Sequence, residues 1–279
     1  MRRTSENSIL KLTPIRKEYI WGREDWLFSS LHQELSEVPF LIKEIVSNEA
    51  LSLQVHPPDD FSGKEKGSPG KTEMWYILDC QPGAYLYYGL KHRVSPEEMA
   101  KRIENQTILE ICRKVSVNRG DVFYLPAGII HAIGPGIRLL EVQQNSNLTY
   151  RIYDYGRKNE DNRPRPLHIE EALQVSSCQP PFFGHEPMNC RIEGEGHAQT
   201  LLVQCPYFKV ILYEVGGSIV LEGELPKALV VLEGKGWIET GNLCMEIKEG
   251  DTLALLWSLE ICRITGKVKA AAVYNTVSM

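Results

Sequence analysis

No apolar run in this sequence approaches the length of a membrane-spanning helix, which needs about 20 residues; stretches such as Ala228–Leu232 and Thr252–Trp257 are far shorter. The opening residues, MRRTSENSILKL, hold two arginines but no apolar core of the signal-peptide kind. A basic excess is also missing. The net charge is −5 and the pI about 5.9, so little is available to neutralise a phosphate backbone, and nucleic acid is excluded as the main partner. Arg2-Arg3 and Lys64/Lys66 read as solvated surface. The seven cysteines (80, 112, 178, 190, 205, 244, 262) are scattered, odd in number and form no C-x-x-C pair. That argues against a disulfide framework or a thiolate zinc site and for reduced thiols in the cytoplasm. A Gly-rich phosphate loop is absent as well.

What the sequence does hold is 279 residues with 43% hydrophobic and 24% charged side chains, enough for one large or two modest domains with a real core. Most of it reads as short strands at regular spacing. Phe40–Val46, Leu51–His56, Met74–Leu78, Ala84–Leu90, Arg138–Gln144 and Thr149–Tyr155 alternate or run apolar in the first two-thirds. Ser95, Pro96 and Glu98 spell a helix start, with helix expected on to about Arg113 but broken at Asn105-Gln-Thr107, which can itself cap a second short helix. Two shorter helices are expected at Asp25–Glu34 and Ile169–Gln174. Pro and Gly thicken between Ser176 and Ala198, where a domain boundary is placed: residues 1–190, with a helical insertion at about 95–113, and residues 191–279. Beyond it the strands are Phe208–Val215, Gly217–Leu221, Lys227–Glu233, Gly236–Thr240, Asp251–Leu256, Ile261–Ile264 and Ala270–Asn275. Two β-rich units of similar rhythm predict a duplicated sandwich or small barrel. Gly120-Asp-Val-Phe-Tyr-Leu in the first is echoed by Gly250-Asp-Thr-Leu-Ala-Leu in the second, where Leu-Trp-Ser follows and no histidine.

The chemistry gathers at Leu51–Glu73. A strand repeats every two residues, so Gln54 and His56 point the same way, and the strand opening at Glu73 returns a carboxylate. An imidazole, a carboxylate and an amide oxygen suit zinc or another late first-row ion. His131 supplies the missing ligand. A single histidine would most simply be core or surface; two with a carboxylate between them favour a metal. Gln54 is the weakest of the four, since a neutral amide is a poor ligand and can serve behind the ligands instead.

Gly120-x5-Pro126-x-Gly128-x2-His131 resembles the second motif of the cupin fold, and Gln54-x-His56…Glu73 resembles the first, with Gln for its leading His and a longer loop. Together with Leu53-Gln-Val-His-Pro57, Gly70-Lys-Thr-Glu-Met-Trp-Tyr76, Leu125-Pro-Ala-Gly-x-x-His-Ala-Ile133, Glu141-x-Gln-x-x-Ser-x-x-Thr-Tyr-Arg-x-Tyr-Asp154 and Pro166-Leu-His-Ile-Glu-Glu-Ala172, they resemble the type I phosphomannose isomerases in their compact bacterial form, over nearly the whole chain. Trp21-Gly22-Arg23 departs from the family, which often has a second glycine there. The resemblance implies a mainly β fold of two cupin-like jelly-roll barrels or sandwiches, the second a degenerate unit serving stability or dimer contact.

It further implies one zinc ion per chain on Gln54, His56, Glu73 and His131, and exchange of mannose 6-phosphate with fructose 6-phosphate through a cis-enediol(ate). Arg151 matches the catalytic arginine. Glu141 is a candidate base or the group that orients Arg151. Lys43 and Lys71 fall at pocket positions, although on its own terms Lys43 reads equally as a surface amine. With no phosphate loop, the substrate dianion must be met by side chains such as Arg157 and Ser52, with Arg163 and Arg165 as further candidates. A phosphosugar is the one partner implied, with the protein a monomer or homodimer. The alternative is a non-catalytic cupin that binds a sugar or sugar phosphate as a regulator; an iron oxygenase is disfavoured by the lack of a His-rich set.

Overall fold

A computed structural model describes residues 8–35, 38–61, 68–158, 161–182, 184–241, 243–255 and 259–276. Arg2-Arg3, Lys64, Lys66 and the Leu256-Trp-Ser segment lie outside the described residues. Among the described residues the chain is mainly β, with 51% strand against 7% helix, in several sheets with no closed barrel. It divides into two compact units: Arg16–Asp25 with Leu41–His185, and Met1–Ile15 with Trp26–Phe40 and Glu186–Met279.

Two sheets shape the unit that carries His56 and His131. The first runs, in spatial order, Ile15–Tyr19, Gly22–Phe28, Phe40–Ser47, Ile137–Gln144, Glu73–Cys80 and Val122–Leu125. The second runs Tyr150–Tyr153, Leu53–Val55, His131–Ile133, Tyr85–Leu90 and Cys112–Ser116. Trp75, Ile77, Phe123 and Leu139 of the first pack in one core with Leu86, Tyr88 and Ile133 of the second. Because strand side chains alternate, Leu53, Val55, Ala132 and Ile152 face the other way, onto Met99, Ile103 and Ala172 of the helices. The polar residues between them are thereby turned inward.

The helix Pro96–Glu104 begins as its sequence predicts, with the Glu98 N–H donating to Ser95 Oγ at 3.1 Å. It ends at Glu104, at the break expected over 105–107, where Gln106 takes a left-handed φ of 58°. The second short helix is a 3-10 turn at Ile108–Glu110, and Cys112–Ser116 is strand, so helix does not continue to Arg113. The second helix, Ile169–Val175, lies where expected.

No helix forms at Asp25–Glu34. Gly22–Phe28 is strand, because Asp25 is drawn to Arg16 (2.7 Å) and Arg23 (3.1 Å), and Phe28 packs against Phe40 with ring centroids 5.2 Å apart. These contacts override a weak local preference.

In the second unit a nine-stranded sheet encloses Leu229, Val231, Ile238, Leu253, Ile264 and Ala272. Four strands read from the sequence are two long ones, Ala228–Thr240 and Ile261–Asn275. The expected breaks at Gly234 and Gly266 are bends, with φ of +81° and +114° and a register shift between Val231 and Glu233. The echoed turn is repeated in three dimensions. Asn118 N–H donates to Asp121 Oδ2 (2.8 Å) and Gly120 N–H to Ile77 O (2.9 Å); Lys248 N–H donates to Asp251 Oδ2 (2.9 Å) and Gly250 N–H to Val231 O (2.9 Å).

Candidate active site

Three strands deliver the ligand set. Gln54 lies opposite His131 in the antiparallel register, and Glu73 opens the neighbouring sheet's strand opposite Gln143 and Leu125. The loop before Glu73 is pinned at its root: Lys71 N–H donates to Pro57 O (3.0 Å), Gly70 N–H to Asp59 Oδ1 (2.6 Å) and Thr72 N–H to Gln144 Oε1 (2.8 Å). A Cβ on Gly70 would stand 2.7 Å from the backbone of Pro58 and Asp59, so only glycine permits this approach.

His56, Glu73 and His131 are buried, and their ligand atoms all lie within 4.8 Å of one another. Glu73 Oε1 is 3.2 Å from His131 Nε2 and 3.6 Å from His56 Nε2. Each imidazole spends its Nδ1 on a backbone carbonyl, His56 on Leu148 O and His131 on Ile129 O, both at 2.8 Å. A carbonyl only accepts, so Nδ1 carries the proton and Nε2 turns a lone pair toward Glu73. Glu73 Oε1 has no hydrogen-bond donor although it is fully buried, and Oε2 meets only the Lys71 ammonium, at 3.2 Å. Two imidazole lone pairs and an undonated carboxylate oxygen converging on one point fit a divalent ion of zinc's preferences.

The charges favour the ligand forms of these groups. Burial, then the neighbouring Lys71 ammonium, pushes the His56 imidazole down to about 3, and burial likewise lowers His131. Burial alone would raise the Glu73 carboxyl, but Lys71, 3.2 Å from Oε2, and the two imidazoles outweigh it and hold it well below the usual range. Lys71 Nζ also lies 3.1 Å from His56 Nε2. Gln54 is at the edge of the group, its amide nitrogen 3.4 Å from His131 Nε2. Half a turn of the amide would exchange that nitrogen for its oxygen.

A second group adjoins the first. Glu141 is buried, its Oε2 accepting from Trp75 Nε1 (2.9 Å) and its Oε1 3.3 Å from Lys43 Nζ. Burial, then the charge on Glu73, raises the Glu141 carboxyl against the pull of Lys43. Lys43 is buried, not a surface amine; desolvation would lower it, but Glu141 and Glu24 (3.5 Å) keep it raised. Arg151, opposite Gln54 in the register, donates to Ser52 Oγ (3.3 Å) and Pro166 O (2.9 Å). Its pKa is lowered by burial and then by Arg165.

Gln54, His56, Lys71, Glu73 and His131 thus meet, with Lys43 and Glu141 beside them and Ser52 with Arg151 next to Gln54. Arg157 is engaged elsewhere, by Asp154 and the Ala50 carbonyl, and Arg165 also binds Asp154. Trp75 and Glu24 were not legible as site residues. Trp75 reads as a core aromatic, its one signal being a two-residue spacing from Glu73; Glu24 carries no signal.

No family model matches the chain. It is 37% identical over 249 residues to a mannose-6-phosphate isomerase of Bacillus subtilis, covering 88% of this chain and 78% of the relative. A mannose-6-phosphate isomerase of Streptococcus mutans is 34% identical over 271 residues, covering 97% of this chain and 83% of the relative. The crystal structure of a mannose 6-phosphate isomerase from Bacillus subtilis superposes with a TM-score of 0.87 at 27% identity, covering 96% of this chain and all of that one. With its cupin-like sheets and its buried His56, Glu73 and His131, the chain belongs to the mannose-6-phosphate isomerase family.

Proposed function

We propose that this isomerase interconverts mannose 6-phosphate and fructose 6-phosphate in the cytoplasm, with one zinc ion held by His56, Glu73 and His131 and by Gln54 once its amide has turned. The observation that carries the reading is the fully buried Glu73 Oε1, with no donor of its own, facing two imidazoles whose Nδ1 protons are already committed. When bound, zinc supplies a Lewis acid beside the sugar's carbonyl and hydroxyl oxygens.

The chain's own residues supply the rest. The reaction moves one proton between C1 and C2 and one between the two oxygens, through a cis-enediol(ate). Glu141, with its raised affinity for a proton, serves as the base at the carbons. The Lys71 ammonium stabilises the negative charge that develops on the oxygens. Lys43 holds the Glu141 carboxylate, and Arg151, set by Ser52, is the guanidinium that faces the enediolate. The substrate phosphate is met by this basic side of the pocket; Arg157 can join it only by giving up Asp154 and the Ala50 carbonyl. The 191–279 segment does no chemistry and contributes stability or dimer contact. Metal-free protein is expected to regain fructose 6-phosphate production from mannose 6-phosphate when zinc is restored. Stoichiometric zinc with no turnover would contradict the proposal and leave a sugar-phosphate binder.

A further inference from the structure

Trp75 stands between two groups of this chemistry. It is buried, one pleat from Glu73 on the same strand and directly opposite Glu141 on the next. Its Nε1–H donates to Glu141 Oε2 at 2.9 Å, and its ring meets the His131 imidazole edge-on, with centroids 5.3 Å apart and planes at 85°. An indole nitrogen donates and never accepts. Oε2 is therefore an acceptor whether or not the carboxyl carries a proton, which leaves Oε1, paired with the Lys43 ammonium at 3.3 Å, as the oxygen that can take one.

We propose that Trp75 is a positioning residue for the isomerisation: its N–H fixes the Glu141 carboxylate so that Oε1 alone exchanges the proton with the sugar. The inference rests on the isomerase reading above. In the aldose-to-ketose direction the C2–H bond breaks, its electron pair enters the enediolate and the proton bonds to Oε1. The same oxygen then returns the proton to C1, and Glu141 ends as it began. Without the indole donor the carboxylate can rotate and present either oxygen, and Oε2 becomes a buried acceptor with no donor. The loss falls on the chemical step, because Trp75 hydrogen-bonds to the base and not to a ligand of the ion.

Trp75→Phe keeps an aromatic ring in the strand and removes the N–H. In zinc-loaded protein, kcat is expected to fall about 10- to 100-fold, as for loss of a group that orients a site residue, with KM within about twofold and zinc content unchanged. A merely structural role would instead lower zinc content or yield and leave kcat per zinc-loaded chain intact. A kcat within about twofold of wild type, or a loss that only follows lost zinc, overturns the proposal. Should Trp75→Phe not fold, the benzothiophene analogue of tryptophan at position 75 has the same shape with sulfur in place of the N–H. It should show the same fall in kcat at constant KM, and an unchanged kcat again overturns the proposal. Zinc-loaded wild type that fails to turn over mannose 6-phosphate overturns the isomerase reading itself, and the role of Trp75 with it.

Discussion

Glu73 is a fully buried carboxylate whose desolvation is offset by a lysine ammonium on Oε2 and by two imidazoles facing Oε1, which has no donor of its own. Glu73→Gln removes the charge and leaves Lys71 buried without its anion. Zinc affinity is expected to fall by at least about 100-fold, read by titrating metal-free protein; wild-type affinity in the variant would exclude Glu73 as a ligand. At this scale the sequence was most legible where residues fall in long ordered motifs, which is why His56, Glu73 and His131 were legible as candidate ligands in the sequence alone. It was least legible where a side chain's partner is distant. Whether Lys43 faced water or a cavity turned on Glu141 and Glu24, and neither partner is local to it. Arg157 shows the opposite problem: Asp154, three residues earlier, claims its guanidinium. Trp75 was invisible because a tryptophan in an apolar strand reads as core whether or not its N–H is employed.

Elements that carry their own terminators or alternation were legible. Ser95-Pro96 fixed the start of a helix, and two-residue periodicity located Phe40–Ser47, Leu53–Val55, Tyr85–Leu90, Ile137–Gln144 and Tyr150–Tyr153, though not Ile15–Tyr19, Gly22–Phe28 or Cys112–Ser116. The Asp25–Glu34 segment was not, since the ion pair of Asp25 with Arg16 lies across strands. Nor were the long strands of the second unit, where glycine at positive φ bends a strand in a way indistinguishable in sequence from a turn. The loop at Pro57–Lys71 gives a test at this scale. Gly70→Ala puts a Cβ 2.7 Å from backbone atoms that must shift to admit it, and that shift moves the root of Glu73. Zinc affinity is expected to drop about 10-fold with the fold retained by circular dichroism; an unchanged affinity would mean the loop root does not set the ligand geometry.

For the whole molecule, the duplicated Gly-Asp turn was legible as a sequence echo, and it now appears as the same hydrogen bonds in each of the two units. Among the described residues, one cluster of metal-ligating side chains exists, and it lies in the first of them. Its cost to the metal-free protein depends on pH. His56 and His131 have lowered folded-state values, His56 to about 3, against about 6.5 in an unfolded chain. Below pH 6.5 the unfolded chain therefore binds protons that the folded one refuses. Stability is fully present above that pH and is lost as the pH falls toward the folded value, by up to about 1.4 kcal/mol per pH unit for each imidazole. Melting of metal-free protein from pH 8 to pH 5 should show a falling midpoint; a flat or rising one would mean these imidazoles accept protons in the fold.

The central claim, that histidine, carboxylate and amide side chains from distant parts of the chain close on one ion, is tested most directly by zinc-edge X-ray absorption on the loaded protein. The account predicts one zinc per chain with nitrogen and oxygen neighbours at about 2.0–2.2 Å, two of them imidazoles. A shell containing sulfur at about 2.3 Å would place the metal on cysteine and contradict it.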